Sequence, residues 1–147
     1  MNDKKLYEQI LGVTAPWQVS DVELDPGANS ITIKVEHTAS ARFTCPVCNK
    51  PGSIHDHRVR RWRHLPTCQL RTIIEADVPR VSCADHGVKQ VPVPWADNNS
   101  AFTALFEALV IRWLKEASTT AVARQMDITW DQADGIMSRA VARGMAR

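Results

Sequence analysis

The sequence predicts an α+β fold in three successive parts. These are a helix and β-hairpin over residues 1–40, a small β-rich section over 41–91, and three helices over 92–147. Three observations predict it. Residues 30–37, SITIKVEH, alternate apolar and polar with period two. Two short ligand-like pairs, CPVC and CADH, bracket further strand-like runs. After Ser100 the hydrophobic period switches to that of a helix.

The elements follow in order. Asn2 to Leu11 reads as a short helix. Asn2 or Asp3 caps it, Leu6 and Ile10 share a face, and Gly12 ends it. WQVSDVEL and SITIKVEH then flank the turn DPGAN, with Ile31, Ile33 and Val35 on one side and Thr32, Lys34 and Glu36 on the other. HDHRVRRWRHL and QLRTIIEADVPRVSC are two more strands, with the break expected near Leu65-Pro66-Thr67. KQVPVPWADNNS, rich in proline and asparagine, reads as an extended linker. Beyond it, Ser100 is expected to cap a helix over 101–117. Its apolar face is Phe102, Leu105, Phe106, Leu109, Val110, Trp113 and Leu114. Ser118 caps a second helix, TTAVARQM. Asp127-Ile128 turns the chain, and Thr129 caps a third helix, WDQADGIMSRAVARGMA.

Composition narrows the function class. With 44% hydrophobic and 23% charged residues, the chain suits a folded protein rather than a disordered tail. The first residues, MNDKKLYEQILGV, hold no apolar run of secretory type, and no stretch approaches the ~18 apolar residues of a membrane span. A cytoplasmic setting is expected, where the four cysteines stay reduced. The net charge of +2 is unevenly spread: −3 over residues 1–40, +5 over 41–91 and 0 over 92–147. A basic middle section points to a polyanionic partner.

TCPVCNK places two thiols on one tight knuckle, and SCADHG repeats the two-residue spacing with Cys83 and His86. Cys45, Cys48, Cys83 and His86 therefore form a candidate tetrahedral set for one structural Zn²⁺, in the arrangement of a zinc ribbon. Four protein ligands leave no open position for chemistry. Pro46 and Gly87 suit the knuckle turns. His55 or His57 in place of His86 stays open as an alternative. A redox role for the cysteine pair finds no βαβ pattern around it. Cys68 is expected to be a small buried hydrophobe.

Between the knuckles, Arg58, Arg60, Arg61 and Arg63 surround Trp62. A strand there is basic on both faces, with guanidinium groups suited to phosphate and an indole suited to stacking. Arg42 and Arg71 extend the patch. Trp62 buried in a core is the plainer reading.

STTAVARQMDITWDQADGIMSRAV has the form of a helix-turn-helix, in which Ala121, Val122 and Met126 face Ile136 and Met137. The second helix of such a pair would offer Thr129, Trp130 and Gln132 to bases, with Ser138, Arg139 and Arg143 further along. Asp127 stands where a glycine is usual. Asp131 and Asp134 would repel phosphates, although Asp131 could accept from a cytosine amino group. Plain helical packing or a dimer surface remains open.

Taken together, LYEQILG, PWQVSDVELD, CPVC, HDHRVRRWRHL, VPRVSCADHGV and AVARQMDITWDQADGIM resemble the N-terminal part of bacterial insertion-sequence transposases of the ISL-three type, over nearly the whole chain. The resemblance implies a zinc ribbon followed by a helix-turn-helix, and it maps the family's zinc ligands onto Cys45, Cys48, Cys83 and His86. It also implies double-stranded DNA as partner, specifically the element's terminal inverted repeats. The expected setting is cytoplasmic and nucleoid-associated, with no membrane and no small-molecule substrate. A homodimer is an open arrangement. Full-length members resemble ribonuclease-H-like enzymes beyond this region, where three acidic residues hold two metal ions. No strand-borne acidic trio is visible in these 147 residues, so the expectation is a targeting region rather than an enzyme. A transposase-derived transcriptional regulator and a zinc-ribbon protein-interaction module are the alternatives.

Overall fold

The computed structural model describes residues 3–145. The capping role expected of Asn2, and Ala146 at the end of the third predicted helix, lie outside the described residues. The chain forms two compact units, residues 1–103 and 104–147.

The first unit opens with α1 (Asp3–Leu11). Gly12, at φ +67°, stops the helix as expected, and the Val13 N–H donates to the Glu8 carbonyl. The face that Leu6 and Ile10 share is the exposed one, while Tyr7 and Leu11 turn to the core. Both pairs are spaced by four, so periodicity alone could not choose between them.

β1 (Trp17–Asp25) and β2 (Ser30–His37) form the expected antiparallel hairpin, paired from Trp17↔His37 to Asp25↔Ser30. β1 is a sheet edge with a bulge after Val19, and the Glu8 carboxylate accepts from the Val19 N–H at 2.9 Å. The short β3 (Phe43–Thr44) precedes the long pair β4 (Pro51–Thr67) and β5 (Leu70–Cys83), and β6 (Gly87–Gln90) returns along β5. β2 runs parallel to β5, so both hairpins merge into one sheet of order β1-β2-β5-β4-β3, with β6 also on β5. The β4–β5 turn falls at Cys68 and Gln69, both at positive φ, rather than at Leu65-Pro66-Thr67. Cys68 is exposed there, which corrects its expected burial; the turn geometry, not packing, holds it.

One face of the sheet carries the core: Trp17, Val19, Ile33, Val35, Trp62, Ile74, Ala76 and Val78. KQVPVPWADNNS is not a free linker, because Val93 and Trp95 complete this core. Trp95 meets Trp17 and Trp62 edge to face, with ring centroids 5.1 and 5.4 Å away. Residues 101–103 then run beside β4. The Arg63 N–H donates to the Ala101 carbonyl, and the Thr103 N–H donates to the Arg63 carbonyl. These bonds explain why the next helix starts later than expected and why Ser100 does not cap it. The Ser100 hydroxyl bonds locally with the Phe102 backbone instead.

The second unit holds α2 (Ala104–Leu114), α3 (Thr119–Met126) and α4 (Trp130–Met145). Phe106 and Val110 of α2, Val122 and Ala123 of α3, and Ala133 and Ile136 of α4 are buried. Leu105 and Trp113 leave the predicted apolar face and are about half exposed. Ser118 caps α3 by accepting from the Ala121 N–H. Asp127 takes the left-handed position, φ 53°, and the Ile128 N–H reaches back to the Ala123 carbonyl. No helix among the described residues is long and apolar enough to cross a membrane.

Candidate metal centre and nucleic-acid interface

Two knuckles meet at the far end of the β4–β5 pair. In the first, the Cys45 N–H donates to the Lys50 carbonyl and the Asn49 N–H to the Cys45 carbonyl. The second is the β5–β6 turn. In each, the residue after the second ligand is left-handed: Asn49 at φ 61° and Gly87 at φ +73°. Sequence reading singled out Gly87 and missed Asn49, although asparagine is the side chain that most readily takes this conformation. The arms behind the knuckles are braced by Asp56, which accepts from Arg80 Nε at 2.6 Å. The Arg80 guanidinium holds the Asp56 carboxyl below its ordinary range.

Cys45, Cys48, Cys83 and His86 come together as expected, with their ligand atoms all within 4.8 Å of one another. Cys48 and Cys83 sulfurs are 3.7 Å apart; His86 Nδ1 is 3.5 Å from Cys83 Sγ and 3.8 Å from Cys45 Sγ. A tetrahedron built on ordinary zinc bond lengths has edges of ~3.8 Å between sulfurs and ~3.6 Å from sulfur to nitrogen. The residues therefore fit a single zinc ion. Thiol electrostatics agree. The Cys48 and Val47 N–H groups, against the opposing effect of burial, hold the Cys45 thiol below its usual value. At Cys48 the Lys50 N–H favours the thiolate, but burial and the neighbouring Cys83 and Cys45 outweigh it and push the thiol up. Thiols this close resist ionising together unless a cation sits among them. The set is that of one structural zinc, with no place left for water. His55 and His57 are not in it; His57 Nε2 lies 2.9 Å from His37 Nε2 instead.

The basic stretch is less available than its composition suggests. Trp62 is fully buried, which corrects its expected DNA contact: the indole fills the tryptophan core. Arg60 lies over that ring at 4.6 Å, and its Nη2 donates to the Ser100 carbonyl. Arg63 is half-buried, and its backbone holds residues 101–103. Arg61 is exposed but pairs with Glu75 at 2.7 Å, in a ladder continued by Lys34 and Glu23. The Arg58 side chain is exposed and makes no hydrogen bond or ion pair among the described residues, although its charge helps to lower the pKa of Asp56, after the larger effect of Arg80.

In the helical unit, Thr129 and Gln132 cap each other. The Thr129 hydroxyl accepts from the Gln132 N–H at 3.0 Å, and the Gln132 side-chain carbonyl accepts from the Thr129 N–H at 2.9 Å. Trp130 is half exposed, and Ser138 and Arg143 are exposed. Arg139, expected to face DNA, bonds instead to Glu107, which is 2% exposed. Glu107 escaped sequence reading. The signal available was a carboxylate between Phe106 and Val110 on the buried stripe of a helix.

Two family models match successive stretches of the chain. The family described as the zinc-finger of transposase IS204/IS1001/IS1096/IS1165 matches residues 41–86. The helix-turn-helix domain of transposase family ISL3 matches residues 91–141. The transposase for insertion sequence element IS1557 of Mycobacterium tuberculosis is 32% identical, over 95% of this chain and 33% of its own length. The transposase for insertion sequence element IS1001 of Bordetella parapertussis is 27% identical, over 88% of this chain and 32% of its own length. The chain thus spans about a third of the length of these relatives. No solved structure matches it.

Proposed function

The chain belongs to the ISL3 transposase family, whose zinc-ribbon and helix-turn-helix modules it carries in that order, and from this we propose that it recognises the terminal inverted repeats of an insertion sequence. DNA binding as part of a transposase follows from the helix-turn-helix module itself. The observation that supports contact with base edges is the α3–α4 turn. Its left-handed Asp127 and reciprocal Thr129–Gln132 cap leave the first turn of α4 exposed at Trp130 and Asp131. In helix-turn-helix proteins that first turn meets base edges in the major groove.

Trp130 and Ser138 are the proposed base-side contacts, and Arg143 and the ribbon's Arg58 are proposed phosphate contacts. Zinc supplies no chemistry here. Its four ligands hold the two knuckles together and so fix the ribbon end of β4 and β5. No catalytic step is assigned to this region.

The test is selection of bound duplexes from a random pool by the zinc-loaded protein, then binding to the terminal repeats of the matching element. A single enriched motif found in those repeats is expected. Retention without enrichment would end the sequence-specific reading, and no retention at low salt would end the DNA-binding one.

A further inference from the structure

Helix α4 has a thin apolar grip on its neighbours. Among its described residues only Ala133 and Ile136 are buried. These two small or medium side chains, with the half-buried Met137 and Ala140, set how near the helix lies, but apolar contacts constrain its roll about its own axis weakly. A roll of about 20° carries a side-chain tip about 2 Å around the axis, which is more than a hydrogen bond to a base edge tolerates.

The contact between Arg139 and Glu107 adds direction to this packing. Arg139 donates from Nε and from a terminal nitrogen to the same oxygen of Glu107, at 3.2 Å for Nε. Glu107 sits on α2 between the buried Phe106 and Val110, and its side chain is 3% exposed. A carboxylate so placed holds its partner strictly, because leaving it uncompensated is costly. Gly135, one turn before Arg139, lies beside this contact: a Cβ there would be 3.5 Å from the Arg139 guanidinium, in ordinary van der Waals contact.

We infer that Arg139 is a positioning residue for DNA recognition: its bond to Glu107 fixes the roll of α4 and thereby selects which exposed side chains meet the bases. This rests on the reading of the helical unit as DNA-binding. It assigns Arg139 no phosphate contact, which separates it from the simpler role its charge suggests.

The test compares the zinc-loaded chain with the double variant Glu107→Met/Arg139→Met, whose apolar pair fills similar volume without a buried charge. Three quantities are read: melting temperature, the slope of affinity against salt, and preference for the selected motif over a scrambled duplex. Positioning predicts a folded variant with an unchanged salt slope and a preference reduced on the order of tenfold or more. A preference that survives intact would overturn the inference. So would a slope shallower by about 0.9, which marks one lost phosphate contact. If the double variant does not fold, Arg139→Lys decides. It keeps the positive charge beside Glu107 but loses the two-pronged grip, so preference should fall while the slope holds; full preference would overturn the inference. An unmodified chain that shows no motif preference would instead refute the DNA reading, before any variant is compared.

Discussion

A Cβ on Gly52 would lie 2.8 Å from the carbonyl oxygen of Ser82. Gly52 follows the first zinc knuckle and Ser82 precedes Cys83 of the second, so the two knuckles close on each other only where a side chain is missing. Real Cβ atoms do not approach a backbone oxygen this closely, so Gly52→Ala must push β4 away from β5 beside the metal. The expected outcome is a weakening of zinc affinity by about tenfold or more, the size seen when support around a metal site is disturbed. Competition against a chromophoric chelator measures it. Unchanged affinity would mean that the strands separate there without moving the ligands.

Removal of zinc should open the knuckle end and spare the tryptophan core. The core of Trp17, Trp62 and Trp95 with Ile33, Ile74 and Val78 uses none of the ligands. β3 has only two residues and β6 four, so neither has much apolar burial to replace the ion. Hydrogen exchange after chelation should therefore show early loss of protection at Cys45 and Asn49, with β2 and the centre of β5 retained. Loss of protection throughout the first unit at one rate would refute a core that stands without the metal.

His64 makes the first unit acid-sensitive. It is 6% exposed, its Nδ1 lies 2.7 Å from the Thr103 hydroxyl, and burial lowers its pKa from 6.5 to about 4. The folded state thus binds the proton less readily than the unfolded chain. Its contribution is complete above pH 6.5 and is lost as pH falls from 6.5 towards 4, up to about 3 kcal/mol. His64→Gln should flatten that part of the stability profile. Denaturant unfolding of both proteins at pH 7 and pH 5, with zinc bound, tests it; parallel profiles would exclude His64 as the cause.

The parts legible in the sequence are those written in local chemistry. SITIKVEH declares its own face by alternation, Ser118 and Thr129 announce their caps, and two ligand pairs at matching spacing name a metal site. What was not legible depends on partners far along the chain. Nothing in β2 says that its neighbour is β5 in parallel, since period-two alternation is the same for either direction. The prolines of 92–94 resemble a linker until Trp95 is seen between Trp17 and Trp62. The arginines of β4 look equivalent until Glu75 and Ser100 each engage one of them.

The mutual cap of Thr129 and Gln132 should matter to stability apart from any DNA contact. Thr129→Ala removes the acceptor for the Gln132 N–H and frees the start of α4. A loss of about 1 kcal/mol is expected, and Thr129→Ser should restore most of it. Thermal unfolding without DNA reads this directly. If Thr129→Ala leaves stability unchanged and alters only DNA binding, Thr129 is an interface residue rather than a cap.

Arg58 and Arg61 distinguish the two faces of β4 as DNA surfaces. Alternation puts them on opposite sides, opposite Val78 and Glu75 respectively. Arg61 stands in a ladder of alternating charge with Glu75, Lys34 and Glu23, so that face offers phosphate little net attraction. Arg58 stands in no such ladder: the nearby Asp56 feels its charge but is paired directly with Arg80. Each phosphate contact contributes about 0.9 to the slope of log affinity against log salt. Arg58→Ala should therefore lower the slope by about that amount, whereas Arg61→Ala should leave it nearly unchanged. Measuring both by fluorescence anisotropy from 50 to 200 mM salt assigns the face, because the reverse pattern would move the DNA to the side that carries the ladder.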